Sequence, residues 1–322
     1  MIRGLAALLV CLFHFKENIL SNGFLKFDHS GAIASYVSIA GFGWLGVEMF
    51  FVVSGFIIPW AMIQSGYKLH NFFAFFAKRC LRIEPPYLAS VLIVVILGYL
   101  SAKAPGYHGE PYHLETANIL SHIGYLPEHL GYSWLQPVYW SLEAEFHYYI
   151  LIGLLLPFMW RNRNLLYFIL AAFLVSGFFI PLYVFSYMPF FVIGISACAN
   201  RTGLISTPAW FIILALSITT CFLRHQPIGM PLTGLITGLL IQYVKLDHSV
   251  FNFLGKISFS LYLLHVPVGG RVMNLASRFI HNETGLWLAW LTALALTIIA
   301  SWIFFKLVEW PSQKLSRRLA YK

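Results

Sequence analysis

The sequence predicts an all-α protein, a polytopic membrane bundle of about ten transmembrane helices with both termini cytoplasmic. Three observations predict it. The 322 residues are 59% hydrophobic and only 10% charged, whereas soluble domains run ~25% charged, so the chain belongs in lipid. Apolar runs long enough to cross a hydrocarbon core ~30 Å thick recur from end to end, bounded by Gly, Pro, Trp or charge. With the N-terminus inside, the connecting segments carry 15 Lys and Arg on the inner side against 6 on the outer, the bias that orients membrane proteins.

The first span, about 2–20, starts at Arg3 and carries His14, which a helix places ~16 Å further along its axis and just past the midplane. An ionisable group at that depth normally faces a cavity and marks a functional pathway. A neutral imidazole bridging helices fits the position equally well. Basic-then-apolar is also the pattern of a signal peptide, but Val10-Cys11 is no small-residue cleavage site, and His14 and Lys16 follow.

In the second span, about 43–63, Glu48 lies within one to two turns of the depth of His14, where a carboxylate would orient the imidazole. Its plain alternative is an interfacial residue reaching water. The third span, about 86–102, follows Arg79 and Arg82, three apart on one helical face at the cytoplasmic surface. Paired guanidinium forks suit phosphate, and the same pair also serves as a membrane anchor.

The connection at about 103–137 holds His108, His113, His122 and His129. Their spacing is irregular and no carboxylate completes a shell, so they read as surface residues and no metal is expected. The fourth span, about 138–157, opens with Glu143, Glu145 and His147. Glu143 and His147 share a face and Glu145 points to another. Three ionisable groups so close together argue for a wet acceptor cavity shared with His14 and Glu48, although a structural Glu143–His147 pair fits as well.

The remaining spans fall at about 165–182, 187–200, 208–223, 229–245, 257–276 and 286–306. In the ninth, His265 stands ~13 Å above Lys256 with Tyr262 on the same face, which fits a structural or cavity-lining role better than catalysis. The tenth ends at Glu309 among cations, with pairing to one of them expected, and a basic tail follows at the inner leaflet. No repeat or soluble module interrupts the series, so residues 1–322 form a single transmembrane domain. Cations scattered between apolar runs make no basic face for nucleic acid. The four dispersed cysteines signal neither a disulfide framework nor zinc.

In order and spacing, these fragments resemble the acyltransferase 3 family of integral membrane O-acyltransferases. The resemblance rests on Arg3-Gly4 to Phe13-His14, Gly46-Val47-Glu48-Met49-Phe50-Phe51 with Ser54-Gly55-Phe56, and Arg79 with Arg82-Ile83. It continues in Trp140-Ser141-Leu142 with Glu145, Ile257 to Tyr262 with His265, and Val308-Glu309 with Pro311. Family members usually carry further residues before the first arginine, which here is residue 3.

The resemblance implies acyl transfer from cytoplasmic acyl-CoA, with acetyl-CoA the foremost candidate, to a hydroxyl of an extracytoplasmic saccharide or glycolipid at the cell inner membrane. It makes Arg3 and His14 the paired essential positions, Glu48 the acidic position, and Arg79 and Arg82 the coenzyme-binding pair. The chemistry agrees. A thioester is already activated and needs only a base for the acceptor hydroxyl and a site that excludes water. His14 suits the base, and with no Ser-His-Asp or Cys-His set to assemble, direct attack is preferred over an acyl-enzyme. The competing class is a transporter or flippase for a glycan or lipid, which also needs buried charges and broken helices. Acyl release from acyl-CoA by purified protein discriminates the two.

Overall fold

In lipid a backbone must satisfy its own hydrogen bonds, so each apolar run has to become a helix. The computed structural model describes residues 1–21, 31–103, 114–245, 247–280 and 282–319; Lys26, His108, His113 and Lys322 lie outside the described residues. Among the described residues the regular structure is all helical, with no strand. In chain order the helices are α1 Ile2–Ser21, α2 Ala32–Ala40, α3 Gly46–Gln64, α4 Phe72–Ala102, α5 Thr116–Ser121, α6 Trp140–Arg161, α7 Arg163–Ser176 and α8 Tyr183–Ser186. They continue as α9 Met188–Arg201, α10 Thr207–Leu223, α11 Gly229–Tyr243, α12 Ser249–Lys256, α13 Ser258–Leu264, α14 Arg271–Ala276, α15 Glu283–Phe304 and α16 Trp310–Arg318. Two π-helical turns, His265–Gly270 and Phe305–Glu309, join α13 to α14 and α15 to α16.

Each of the ten apolar segments contains a helix, but their reach differs. Among the described residues, five helical stretches are long and apolar enough to cross a membrane: Ile2–Ser21, Ala32–Gln64, Leu69–Ala102, Trp140–Arg161 and Glu283–Arg318. A sixth exists if Ser249–Lys256 and Ser258–Ala276, bent by 61° at their junction, count as one span. Helices α7, α9, α10 and α11 have 14, 14, 17 and 15 residues, or ~21–26 Å, less than the ~30 Å core. The fifth segment stops at Ser176 instead of 182, because Gly177 and Pro181 break it.

Polarity is inverted relative to a soluble protein. Phe73, Phe168, Phe179 and Leu307 are each more than 70% exposed, while Glu48, Glu143, His265 and Glu309 are at most 3% exposed. Helix α1 runs between two apolar clusters. Val10 packs with Phe51, Tyr148 and Phe191 on one side, and Ala7, Cys11 and Phe15 pack with Leu261 and Ala293 on the other. A Cβ on Gly46 would strike the Ala6 carbonyl, and one on Gly194 the Val52 carbonyl. Small residues thus bring α3 to backbone contact with α1 and with α9, the usual means of close packing in lipid.

Helix α4 departs from the expected third span by beginning at Phe72, well before residue 86. Pro85 and Pro86 lie inside it and lack the N–H groups that would bond the Leu81 and Arg82 carbonyls. Ser312 on α16 supplies the missing donor: its hydroxyl bonds the Leu81 carbonyl and lies 3.5 Å from that of Arg82. The helix therefore continues through the prolines and carries Arg79 and Arg82 on the same rod as the apolar segment.

Candidate active site

Helix α1 presents its two ends to two different environments. At the far end, the His14 ring meets His265, with His265 Nε2 3.3 Å from His14 Nδ1. The backbone assigns the tautomers. His14 Nδ1 is 3.0 Å from the Val10 carbonyl and His265 Nδ1 is 3.1 Å from the Leu261 carbonyl, and a carbonyl only accepts. Both Nδ1 atoms therefore carry hydrogen. The bare Nε2 of His265 accepts from His14 Nδ1–H, which leaves Nε2 of His14 as an unprotonated lone pair. His265 reaches this position because the π turn starting there, with Pro267 inside it, widens the helix.

His14 lines a cavity of about 250 Å³ together with Glu48, Trp44, Trp140, Tyr187 and Tyr262. Glu48 is 1% exposed and its Oε2 has no hydrogen-bond partner. Glu48 and His14 share this cavity, as the depth argument expects, without a direct bond among the described contacts. Tyr262 is held along the wall by Ser141 Oγ at 2.6 Å and by donation to the Val138 carbonyl at 3.0 Å.

At the near end, Arg3, Arg79, Arg82 and Lys256 line a second cavity of about 150 Å³, facing Glu145 and Glu309. Arg79 stacks over the rings of Phe75 and Tyr149, at 5.4 and 5.6 Å from their centroids. Glu145 Oε1 accepts from Ser54 at 2.8 Å. Glu309 accepts from the Ser260 amide at 3.1 Å, from the Ser260 hydroxyl, and from Gln313 at 2.8 Å. The expected pairing of Glu309 with a cation takes a looser form: its oxygens accept from Ser260 and Gln313, no salt bridge to it is among the described contacts, and Arg3 and Arg82 line the same cavity and act on its charge.

A third space of only about 20 Å³ borders both cavities. It shares Val47 and Tyr262 with the His14 cavity, and Arg3, Glu145 and Phe259 with the arginine cavity. A cationic vestibule, a constriction and a base thus lie in sequence along α1. A family model described as an acyltransferase domain matches residues 1–306, nearly the whole chain. The chain belongs to the acyltransferase 3 family. No match was found among curated proteins or among solved structures.

Within this family member, the residues singled out by sequence sort into three places. His14, Glu48, Tyr262 and His265 meet at one end, and Arg3, Arg79, Arg82 and Glu145 at the other. Arg3 is therefore beside the arginine pair and a helix length from His14. Glu143 and His147, grouped by sequence with the acceptor cavity, do not line it. The two-residue offset that points Glu145 inward turns them to another side of α6, where Glu143 bonds His129 at 2.9 Å and His147 stands 3.7 Å away. This also corrects the view that no carboxylate accompanies the loop histidines.

Sequence reasoning missed Ser54, Tyr149, Lys256, Ser260 and Ser312. None stands out by type or spacing in the sequence, and only packing gives them a role. His122, in the same loop as His129, is likewise engaged: Nδ1 is 2.9 Å from the Asn118 carbonyl, and Nε2 accepts from the Leu135 amide at 3.3 Å. Burial holds its pKa below the usual imidazole range.

Proposed function

We propose that this family member is a membrane O-acyltransferase that moves an acyl group, acetyl foremost, from cytoplasmic acyl-CoA to a hydroxyl of an extracytoplasmic carbohydrate or glycoconjugate. The observation that carries the reading is the succession of cavities with shared walls between the Arg3, Arg79 and Arg82 cluster and His14. Guanidinium forks suit the phosphates of a coenzyme, and the constriction suits a thin acyl-bearing arm reaching the base. With ten helices, the Lys and Arg bias favours both termini on the cytoplasmic side of the cell inner membrane, the arginines on that side and His14 toward the outside.

In this mechanism His14 Nε2 takes the proton from the acceptor hydroxyl as its oxygen attacks the thioester carbonyl carbon. The tetrahedral centre collapses, the carbon–sulfur bond breaks, and the imidazolium returns its proton to the departing thiolate. His265 holds the Nδ1–H of His14 and so keeps the lone pair on the reacting nitrogen. Arg3 acts at the donor end. Aromatic walls exclude water, which would otherwise hydrolyse the thioester.

The test is a screen of purified protein with acetyl-CoA against envelope glycans, read by thiol release and by the mass of the acceptor. Acceptor-dependent release with the matching mass gain is expected, and its absence with every donor and acceptor overturns the reading. Direction is tested separately by cysteine labelling of intact cells. Glu115→Cys should label from outside and Arg163→Cys only after permeabilisation; the reverse pattern inverts the orientation.

A further inference from the structure

The cluster of His129, Glu143 and His147 lies outside the acyl-transfer path, and its geometry does not close as a hydrogen-bond network. Glu143 is 1% exposed. One of its oxygens, Oε1, is 2.9 Å from His129 Nε2 and 3.7 Å from His147 Nδ1, and the second contact is too long for a hydrogen bond. Its other oxygen, Oε2, and His147 Nδ1 are both buried with no partner. A buried carboxylate oxygen and a buried imidazole nitrogen left without partners are expensive, because each forfeits its hydration without replacement.

We infer that His129, Glu143 and His147 form a binding site for a divalent transition-metal ion, with zinc the best fit. Each residue offers one ligand atom, and the three atoms lie within 4.8 Å of one another. Bonds of ~2.0–2.1 Å to a tetrahedral zinc place neighbouring ligand atoms about 3.4 Å apart, and the 2.9 and 3.7 Å separations bracket that value. Two imidazoles and a carboxylate are a standard zinc donor set that leaves a fourth position for water. Water has access, since the His129 and His147 side chains are 38% and 27% exposed. A cation there makes a ligand of the orphaned His147 Nδ1 and neutralises the buried Glu143 carboxylate.

The ion would act as a clamp. His129 belongs to a 3₁₀ turn, Glu128–Leu130, in the segment leading to α6, and Glu143 and His147 belong to α6 itself. The same segment ends in Pro137 and Val138, which line the His14 cavity. Metal binding would therefore fix one wall of the acceptor site. The site stands whether or not the acyl-transfer reading is right, because it uses none of those residues.

The experiment takes the full-length, tag-free protein in detergent, strips it with a chelator and titrates it with zinc chloride. Calorimetry reads the affinity, elemental analysis after desalting reads the stoichiometry, and substitution by cobalt(II) reports the ligand field. One zinc per chain and a tetrahedral cobalt spectrum are expected. Even an outer partner of a metal ligand is worth about 10–100-fold in affinity, so His129→Ala and His147→Ala should each weaken binding by roughly 100-fold or more. His70→Ala, at an exposed histidine elsewhere, should change nothing. His129 is partly exposed, so its variant is the one that tests the site without threatening the fold. Absence of stoichiometric zinc in the wild type overturns the proposal, as does undiminished binding in both ligand variants.

Discussion

The two ends of α1 solve opposite problems. Around Arg3 the interior is crowded with charge: Arg79 rests on two aromatic faces, and Glu145 and Glu309 are held by hydroxyls, an amide and a side-chain amide. Around His14 the walls are largely aromatic and apolar, Glu48 keeps an unpartnered oxygen, and the imidazole offers a bare nitrogen. One end is equipped to hold a charged molecule firmly and the other to leave one lone pair unengaged. Binding groups profit from many fixed partners, whereas a base loses its value once its lone pair is taken.

If that division is right, substitutions at the two ends should separate in kinetics. The largest effect belongs to His14→Gln, which should lower kcat by ~10²–10⁴ while donor binding, measured by calorimetry with acyl-CoA, stays at the wild-type value. Equal loss of donor affinity would merge the two ends into one site. Next come Arg79→Lys and Arg82→Lys. A charge-assisted hydrogen bond is worth ~1.5–3 kcal/mol, so donor KM should rise roughly tenfold or more per site with kcat little changed. If the double Lys variant keeps the wild-type donor KM, the arginines are anchors only.

A smaller effect is expected at His265. His265→Leu removes the second acceptor of the His14 Nδ1–H, leaving the Val10 carbonyl alone to hold the tautomer, and a neutral hydrogen bond of ~0.5–1.5 kcal/mol translates into about a 2- to 10-fold lower kcat at constant donor KM. His265→Gln restores an acceptor oxygen and should recover most of that loss; equal damage by both variants would assign His265 to packing alone. The smallest change in turnover is expected for Ser312→Ala. It leaves the Leu81 carbonyl without its donor, which should lower stability by ~1–3 kcal/mol, seen as a reduced Tm, with turnover nearly normal and donor KM raised only slightly.

Much of the helical frame was legible because lipid forces each apolar run to bond to itself, so each of the ten runs contains a helix, although α2 lies outside them and α4 begins well before its run. Less legible were the places where one helix repairs another. The Pro85-Pro86 pair reads as a boundary, since a residue before proline is pushed out of the helical region, and only Ser312, 230 residues away, makes continuation affordable. The approach of His14 and Glu48 could be estimated from depth, because helical rise converts sequence spacing into distance. The His14–His265 contact, across 251 residues, and the His129–Glu143 bond, from an aperiodic loop to a helix face, have no local signature. Amphipathic α12 was hidden for another reason: at 8 residues it is too short to register against spans.

The arginine cavity draws on Arg3 from the first helix and on Glu309 and Gln313 from the last. This has a consequence for biosynthesis. At ~5–20 residues per second, roughly 15–60 s separate the appearance of Arg3 from that of Glu309. Throughout that interval the nascent chain already has His14 in the membrane but lacks the wall that completes the vestibule. If His14 is the base and the arginines hold the donor, the base is made first and the means of supplying it last, and a stalled or truncated chain should not spend donor on water.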